Sequence, residues 1–215
     1  VATIEALSYS TPYRKSWIER ARGLVVILIL APFAAVGLFS YPALIDYPVA
    51  QVMFYGLGWA VFVTGVGMRL WATLYIGGRK GKILVMEGPY SICRNPLYLG
   101  NLLITLSIAL FMQSFLFAAG LLIASLVYGT VTISSEERRL HSRLGKTFED
   151  YQAAVPRLFP RTLKVSTPHC IDVDVRCLVI EFRRALRYVW VPLICQVLAY
   201  LRTEIWWPHL FWVVP

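Results

Sequence analysis

Long uncharged stretches alternate with short polar, mostly basic ones along this chain. Twenty-three uncharged residues lie between Arg22 and Asp46, and 22 lie between Asp46 and Arg69. At 1.5 Å per residue each rises roughly 33 Å, enough to cross about 30 Å of hydrocarbon. From Asn95 to Ser135 another 41 residues carry no formal charge, too many for one crossing and right for two, with a tight hairpin at Met112, Gln113 and Ser114. A last apolar run, Tyr188 to Leu201, has only 14 residues, contains Pro192 and Gln196, and meets Arg202 and Glu204 before the aromatic Trp206, Trp207, Phe211 and Trp212. It reads equally as a tilted fifth membrane helix or as an interfacial helix with an aromatic anchor. The pattern therefore predicts an all-α integral membrane protein: four transmembrane helices plus a fifth or interfacial C-terminal helix.

Composition agrees. Of 215 residues, 58% are hydrophobic and only 15% charged, and the mean hydropathy is +0.61, far on the apolar side of soluble domains. The net charge of +9 comes from residues beside the apolar runs, without the aromatic-interleaved pattern of a nucleic-acid binder, so anionic lipid headgroups are the expected counter-charge and no nucleic-acid partner is expected. Arg14, Lys15, Arg20 and Arg22 precede the first run; Arg79, Lys80, Lys82 and Arg94 separate the second from the third; Arg138, Arg139, Arg143, Lys146, Arg157, Arg161 and Lys164 follow the fourth. None falls in the other two connections, so the positive-inside rule directs the amino terminus, the second loop and the segment after the fourth span to the cytoplasm. Cys93, Cys170, Cys177 and Cys195 show no CxxC, and His141, His169 and His209 no ligand spacing, so no metal is expected. The first run begins too far inside the chain, and is too long, for a cleavable signal.

That orientation brings two polar segments to one side. The loop from Gly77 to Arg94 and the opening of the next helix contain Lys82-Ile83-Leu84-Val85, Gly88-Pro89-Tyr90 and Arg94-Asn95-Pro96-Leu97-Tyr98. Glycine and proline free backbone groups from helix pairing, as where irregular backbone lines a polar cavity; the bland alternative is an interfacial loop anchored by its tyrosines. The stretch from Ser134 to Pro160 contains Glu136-Glu137-Arg138-Arg139, adjacent carboxylates that need cationic partners such as Arg94, Arg138 or Arg139, or else a solvated helix end. Residues 1–161 read as one membrane domain, and 162–215 as a linker followed by a C-terminal membrane-associated helical segment whose basic helix holds Arg183, Arg184 and Arg187.

At these segments the chain resembles the integral-membrane methyltransferases of the isoprenylcysteine carboxyl methyltransferase and phosphatidylethanolamine N-methyltransferase group. The match runs over about residues 50–161: a leucine-valine lead-in, Gly-x-Tyr, Arg-Asn-Pro-x-Tyr-x-Gly opening a helix, then Glu-Glu-x-x-Leu, a glycine with a downstream tyrosine, and Arg-Leu-Phe-Pro. The resemblance implies S-adenosylmethionine as cofactor, in a pocket facing the cytoplasm. It implies cofactor contacts from Lys82, Ile83, Leu84, Val85, Gly88, Tyr90, Asn95, Pro96, Leu97, Tyr98 and Glu137, and catalytic roles for Glu136 and Arg94. An arginine and a glutamate suit the carboxylate and ammonium of the cofactor's amino-acid tail, and a tyrosine face suits its cationic methyl.

Two positions depart from the family pattern. Lys82 stands where histidine is frequent, and Thr132 stands where the prenylcysteine branch places a substrate-reading arginine. The expected acceptor is accordingly a lipid or lipidated molecule, a phospholipid amine or a prenylcysteine-like carboxylate, with the amine favoured by Thr132. The competing readings are an NADPH-dependent enzyme like the sterol reductases, for which no arginine cluster to read a 2′-phosphate is evident, and a non-enzymatic membrane scaffold. Oligomeric state is not legible.

Overall fold

The computed structural model describes residues 17–79 and 83–211, and among them all regular structure is helical. The helices are α1 (Trp17–Leu38), α2 (Pro48–Ile76), α3 (Pro89–Ile92), α4 (Pro96–Met112), α5 (Phe115–Leu144), α6 (Lys146–Ala154), α7 (Val175–Tyr188) and α8 (Trp190–Leu201). Proline opens α2, α3 and α4, where its missing N–H costs nothing and its fixed φ suits the first turn. The hairpin falls where the polar break predicts it. Gln113 adopts a left-handed conformation that ends α4, and the Ser114 hydroxyl accepts the Phe117 N–H at 3.4 Å to open α5.

The four predicted spans correspond to α1, α2, α4 and α5. Of these, α2 and α5 are long and apolar enough to cross a membrane, whereas the apolar parts of α1 and α4, Gly23–Leu38 and Pro96–Met112, are shorter. The first uncharged run does not become one long helix, because the chain leaves the helix after Leu38 and turns through residues 39–47 before Pro48. The second helix passes beyond the predicted limit at Arg69 and carries that residue inside the fold. Arg14, Lys15, Lys80 and Trp212, used above for orientation and anchoring, lie outside the described residues.

Glycines set how closely the helices approach. α2 and α4 run antiparallel, with Gly58 against the Phe111 ring and Gly65 against the backbone of Gly100 and Ile104. A Cβ on Gly65 would stand 2.9 Å from the Gly100 carbonyl oxygen, and one on Gly100 would stand 2.8 Å from that of Gly65. Gly56 and Gly67 meet nothing within 4 Å, so only part of the glycine series in the second span serves packing. α1 lies on α5 in the same manner, Gly37 against Phe117 and Gly120 against Phe33.

The C-terminal segment runs from one end of this bundle to the other. At the start of α7, Asp174 lies beside Gly77 and Gly78, just past α2. Beyond α8, Arg202 is fully buried and donates to the carbonyls of Ser40 at 2.8 Å, Met112 at 2.6 Å and Tyr41 at 3.1 Å. These carbonyls cluster where α1 and α4 end, and helix C-termini leave carbonyls unpaired and partially negative. α8 packs along α4 on the way, with Cys195 against Phe111, Met112 and Leu121.

Replacing Gly100 by Val should push α2 from α4 and destabilise the fold by about 1–3 kcal/mol, the range for overpacking. Gly67→Ala should leave stability unchanged or slightly raised. Thermal unfolding of the purified variants in one detergent compares the two.

Candidate active site

On α2 the first charge after the apolar run is Arg69, and on α5 it is Glu136. Both line one cavity of about 620 Å³, which therefore sits where the apolar zone of the bundle gives out. Its walls come from the C-terminal half of α2, the segment Ile83 to Val85, α3, the start of α4, the polar half of α5, α6 and α7.

The loop wall is set by Gly88, which has φ +60°, a region that strongly favours glycine. A Cβ there would also collide with the Tyr75 ring. Gly88 donates its N–H to the Ser166 carbonyl at 2.8 Å, and Ser91 donates its hydroxyl to the Gly88 carbonyl at 2.7 Å. The one-turn helix that follows delivers Tyr90, 6% exposed, into a cluster with Ala72 and Tyr75. Tyr151 of α6 donates its hydroxyl to the Tyr90 carbonyl at 2.7 Å. Tyr90 lines the cavity, and its hydroxyl is buried without a hydrogen-bond partner. Burial raises its pKa well above the usual phenol value, with Tyr151, Glu136 and Cys93 adding to the effect, so it stands as a neutral donor.

Glu137 ties the two polar segments together. Its Oε1 lies 3.2 Å from Arg94 Nε and its Oε2 lies 3.2 Å from Arg157 Nε. Both are charge contacts lacking hydrogen-bond alignment at those nitrogens. Asn95 Nδ2 donates to Oε1 at 3.4 Å and to the Arg157 carbonyl at 3.0 Å. Arg94 donates through Nη1 to the Gln152 carbonyl at 2.8 Å, and Arg157 donates through Nη2 to Ser134 Oγ at 2.6 Å. One carboxylate thus holds the start of α4, the polar end of α5 and the Arg-Leu-Phe-Pro stretch in a single arrangement.

At the α7 wall, Arg69 Nη2 lies 2.6 Å from Glu181 Oε1, with side chains 10% and 6% exposed. Arg69 also donates to Asn101 Oδ1 and lies 5.8 Å from the centre of the Tyr188 ring. The other carboxylate oxygen of Glu181 lies 3.4 Å from Arg184 Nη1. An unpaired charge at this depth is costly, and each member here has a partner.

Ile83, Leu84, Val85, Tyr90, Arg94, Asn95, Pro96, Leu97, Tyr98, Glu136 and Glu137 all line the cavity, whereas Gly88 shapes the turn behind it. Lys82 lies outside the described residues. Of the partners expected for the glutamates, Arg94 pairs with Glu137; Arg157, which entered above through the charge asymmetry and the Arg-Leu-Phe-Pro motif and not as a partner, supplies the second cation. Sequence reasoning missed Arg69, Asn101, Tyr128 and Glu181 as wall residues. Arg69 marked the edge of a span, and the usable signal was a lone glutamate amid the arginines of the C-terminal helix.

Residues 50–147 match the sequence model of the phospholipid methyltransferase family, which bears out the resemblance to the integral-membrane methyltransferase group. Over 93 residues the chain is 42% identical to the Cobalt-zinc-cadmium resistance protein CzcN of Cupriavidus metallidurans and to the Nickel-cobalt-cadmium resistance protein NccN of Alcaligenes xylosoxydans xylosoxydans. In each comparison the shared stretch covers 43% of this chain and 43% of the relative. No solved structure matches.

Cys93 sits fully buried behind Asn95, and burial pushes its thiol up to about 11 against the opposing pull of the Asn95 backbone and Arg94. The thiolate is the reactive form, so near pH 8 Cys93 stays in its unreactive thiol form. Alkylation followed by peptide mass analysis should label exposed Cys170 first and leave Cys93 unmodified until the protein unfolds. Glu137→Gln should cost about 2 kcal/mol, between the ranges for surface and buried pairs, and should bring Cys93 labelling forward.

Proposed function

We propose that this chain is a membrane-embedded, S-adenosylmethionine-dependent methyltransferase whose cavity faces the cytoplasm and whose acceptor is lipophilic. The observation that carries this reading is the convergence of Tyr90, the Asn95 to Tyr98 segment, Arg94 and the Glu136–Glu137 pair on one cavity, within the stretch that matches the family. The orphaned Tyr90 hydroxyl supports a polar guest, since a buried donor without a partner costs free energy that a bound acceptor atom returns. Opposite charges at one rim suit a zwitterion.

When bound, S-adenosylmethionine supplies a methyl group on a sulfonium, open to in-line displacement. The residues of the chain do the rest. Tyr90, Asn95 and the Ile83 to Val85 segment hold and shield the donor from water. Arg94, already oriented by Glu137 and the Gln152 carbonyl, presents a fixed guanidinium to a carboxylate. Glu136 takes the proton of an amine acceptor. The acceptor enters from the lipid and is a phospholipid amine or a prenylcysteine-like carboxylate. For the carboxylate, Arg69 and Arg184 on the cavity wall supply the cation that Thr132 does not. The metal resistance named for the relatives enters this reading as a setting, in which a modified membrane component is the product that matters.

Titration of S-adenosylmethionine into the purified chain should give saturable binding below millimolar concentration, and labelled methyl donor with a total membrane lipid extract should give labelled lipid. Glu136→Gln should lower transfer to an amine acceptor about 100-fold or more with the helical circular dichroism unchanged. Tyr90→Phe should weaken donor binding about 2–10-fold, the worth of one neutral hydrogen bond. Absence of donor binding at millimolar concentration overturns the proposal.

A further inference from the structure

Helix α7 presents three faces, and the folded chain accounts for one of them. The inner face carries Glu181 and Ala185, both buried, with Glu181 on Arg69 of α2. A second face carries Val175, Val179, Phe182 and Leu186, spaced by four, three and four residues and exposed by 65%, 41%, 53% and 55%. Beside it run Arg176, Arg183 and Arg187, spaced by seven and four, also exposed. Such spacings keep each set on one side of a helix. Among the described residues no carboxylate pairs with Arg183 or Arg187.

The height of α7 in the bundle identifies what covers these faces. It starts beside Gly77 and Gly78 and pairs through Glu181 with Arg69, the first charge after the apolar run of α2, so the helix runs along the last two turns of α2, across the level where the apolar run meets its first charge. There the bilayer changes from acyl chains to phosphates, and an apolar stripe flanked by a basic one matches that change. Arginine also suits phosphate oxygens through its planar fork of donors.

We propose that α7 is an interfacial helix that reads anionic lipid headgroups through Arg176, Arg183 and Arg187 while Val175, Val179, Phe182 and Leu186 enter the acyl layer. The occupant of the exposed faces is the anionic surface of the membrane that holds the bundle. Because Cys177, Ile180, Glu181 and Arg184 of the same helix line the cavity, seating α7 on that surface steadies one wall of the site. This needs only the membrane placement of the bundle, not methyl transfer.

The test uses the full chain in lipid nanodiscs of phosphatidylcholine alone, or with about 30% phosphatidylglycerol, and reads amide hydrogen exchange across residues 175–188. Exchange should be roughly tenfold slower in the anionic discs, the difference should shrink in about 0.5 M salt, and R176Q/R183Q/R187Q should abolish it while α2 and α4 keep their protection. The salt response of the unmodified chain serves by itself if the triple variant does not fold. Equal exchange in the two lipids, or a lipid difference that salt leaves untouched, overturns the proposal. So does protection that appears in neutral discs only at two chains per disc, which assigns the face to a second copy. Loss of donor binding with the lipid effect intact would instead remove the methyltransferase reading and leave this one standing.

Discussion

Contact between the backbones of α2 and α4 at Gly65 and Gly100 sets the spacing of the two helices on which the cavity is built, because each glycine lacks the one atom that would force them apart. One turn beyond Gly65, Arg69 passes close against Gly100 and reaches Asn101 on α4 and Glu181 on α7. Were the helices a side chain further apart, that guanidinium would lose its reach to Asn101. Within a low-dielectric bundle an unpaired charge is far costlier than at a surface, so the close crossing and the ion pair depend on one another.

A second constraint is the pairing of charge just beyond the apolar zone. Glu137 meets Arg94, Asn95 and Arg157, which come from parts of the chain separated by the whole α4–α5 hairpin. A carboxylate held by two guanidiniums fixes geometry more than it adds stability, because desolvation offsets much of the attraction. Its effect is to hold the start of α4 beside the polar end of α5, which keeps the neighbouring Glu136 on the same cavity as Tyr90 and Tyr98. The polar part of the site is thereby ordered by ion contacts, and the apolar part by glycine packing.

The C-terminal segment lies outside residues 50–147, which match the family, yet it supplies a wall. α7 brings Glu181 and Arg184 to the cavity, and Arg202 locks the far end of the segment onto carbonyls where α1 and α4 stop. A buried arginine held by three carbonyls and the Ser40 hydroxyl is tolerable there because helix ends point their partial negative charge at it. The two attachments at opposite ends of the bundle make this segment a brace across its whole height.

Much was legible before the fold was known. Charge spacing located α2 and α5, the Gln113–Ser114 break placed the hairpin, and the residue types of the Tyr90 to Tyr98 stretch and the glutamate pair marked the two polar segments that now line one cavity; all of these are local signals, carried by neighbours in sequence. The tertiary structure decided what depends on distance: that Glu137 pairs with Arg157, that Arg69 is a wall residue rather than the edge of a span, that Gly88 shapes the turn behind the cavity, and that the last segment runs the height of the bundle. Hydrophobic periodicity and turn chemistry are written residue by residue, whereas the partner of a buried charge is whichever group the packing of distant helices brings within about 3 Å, the hydrogen-bonding range.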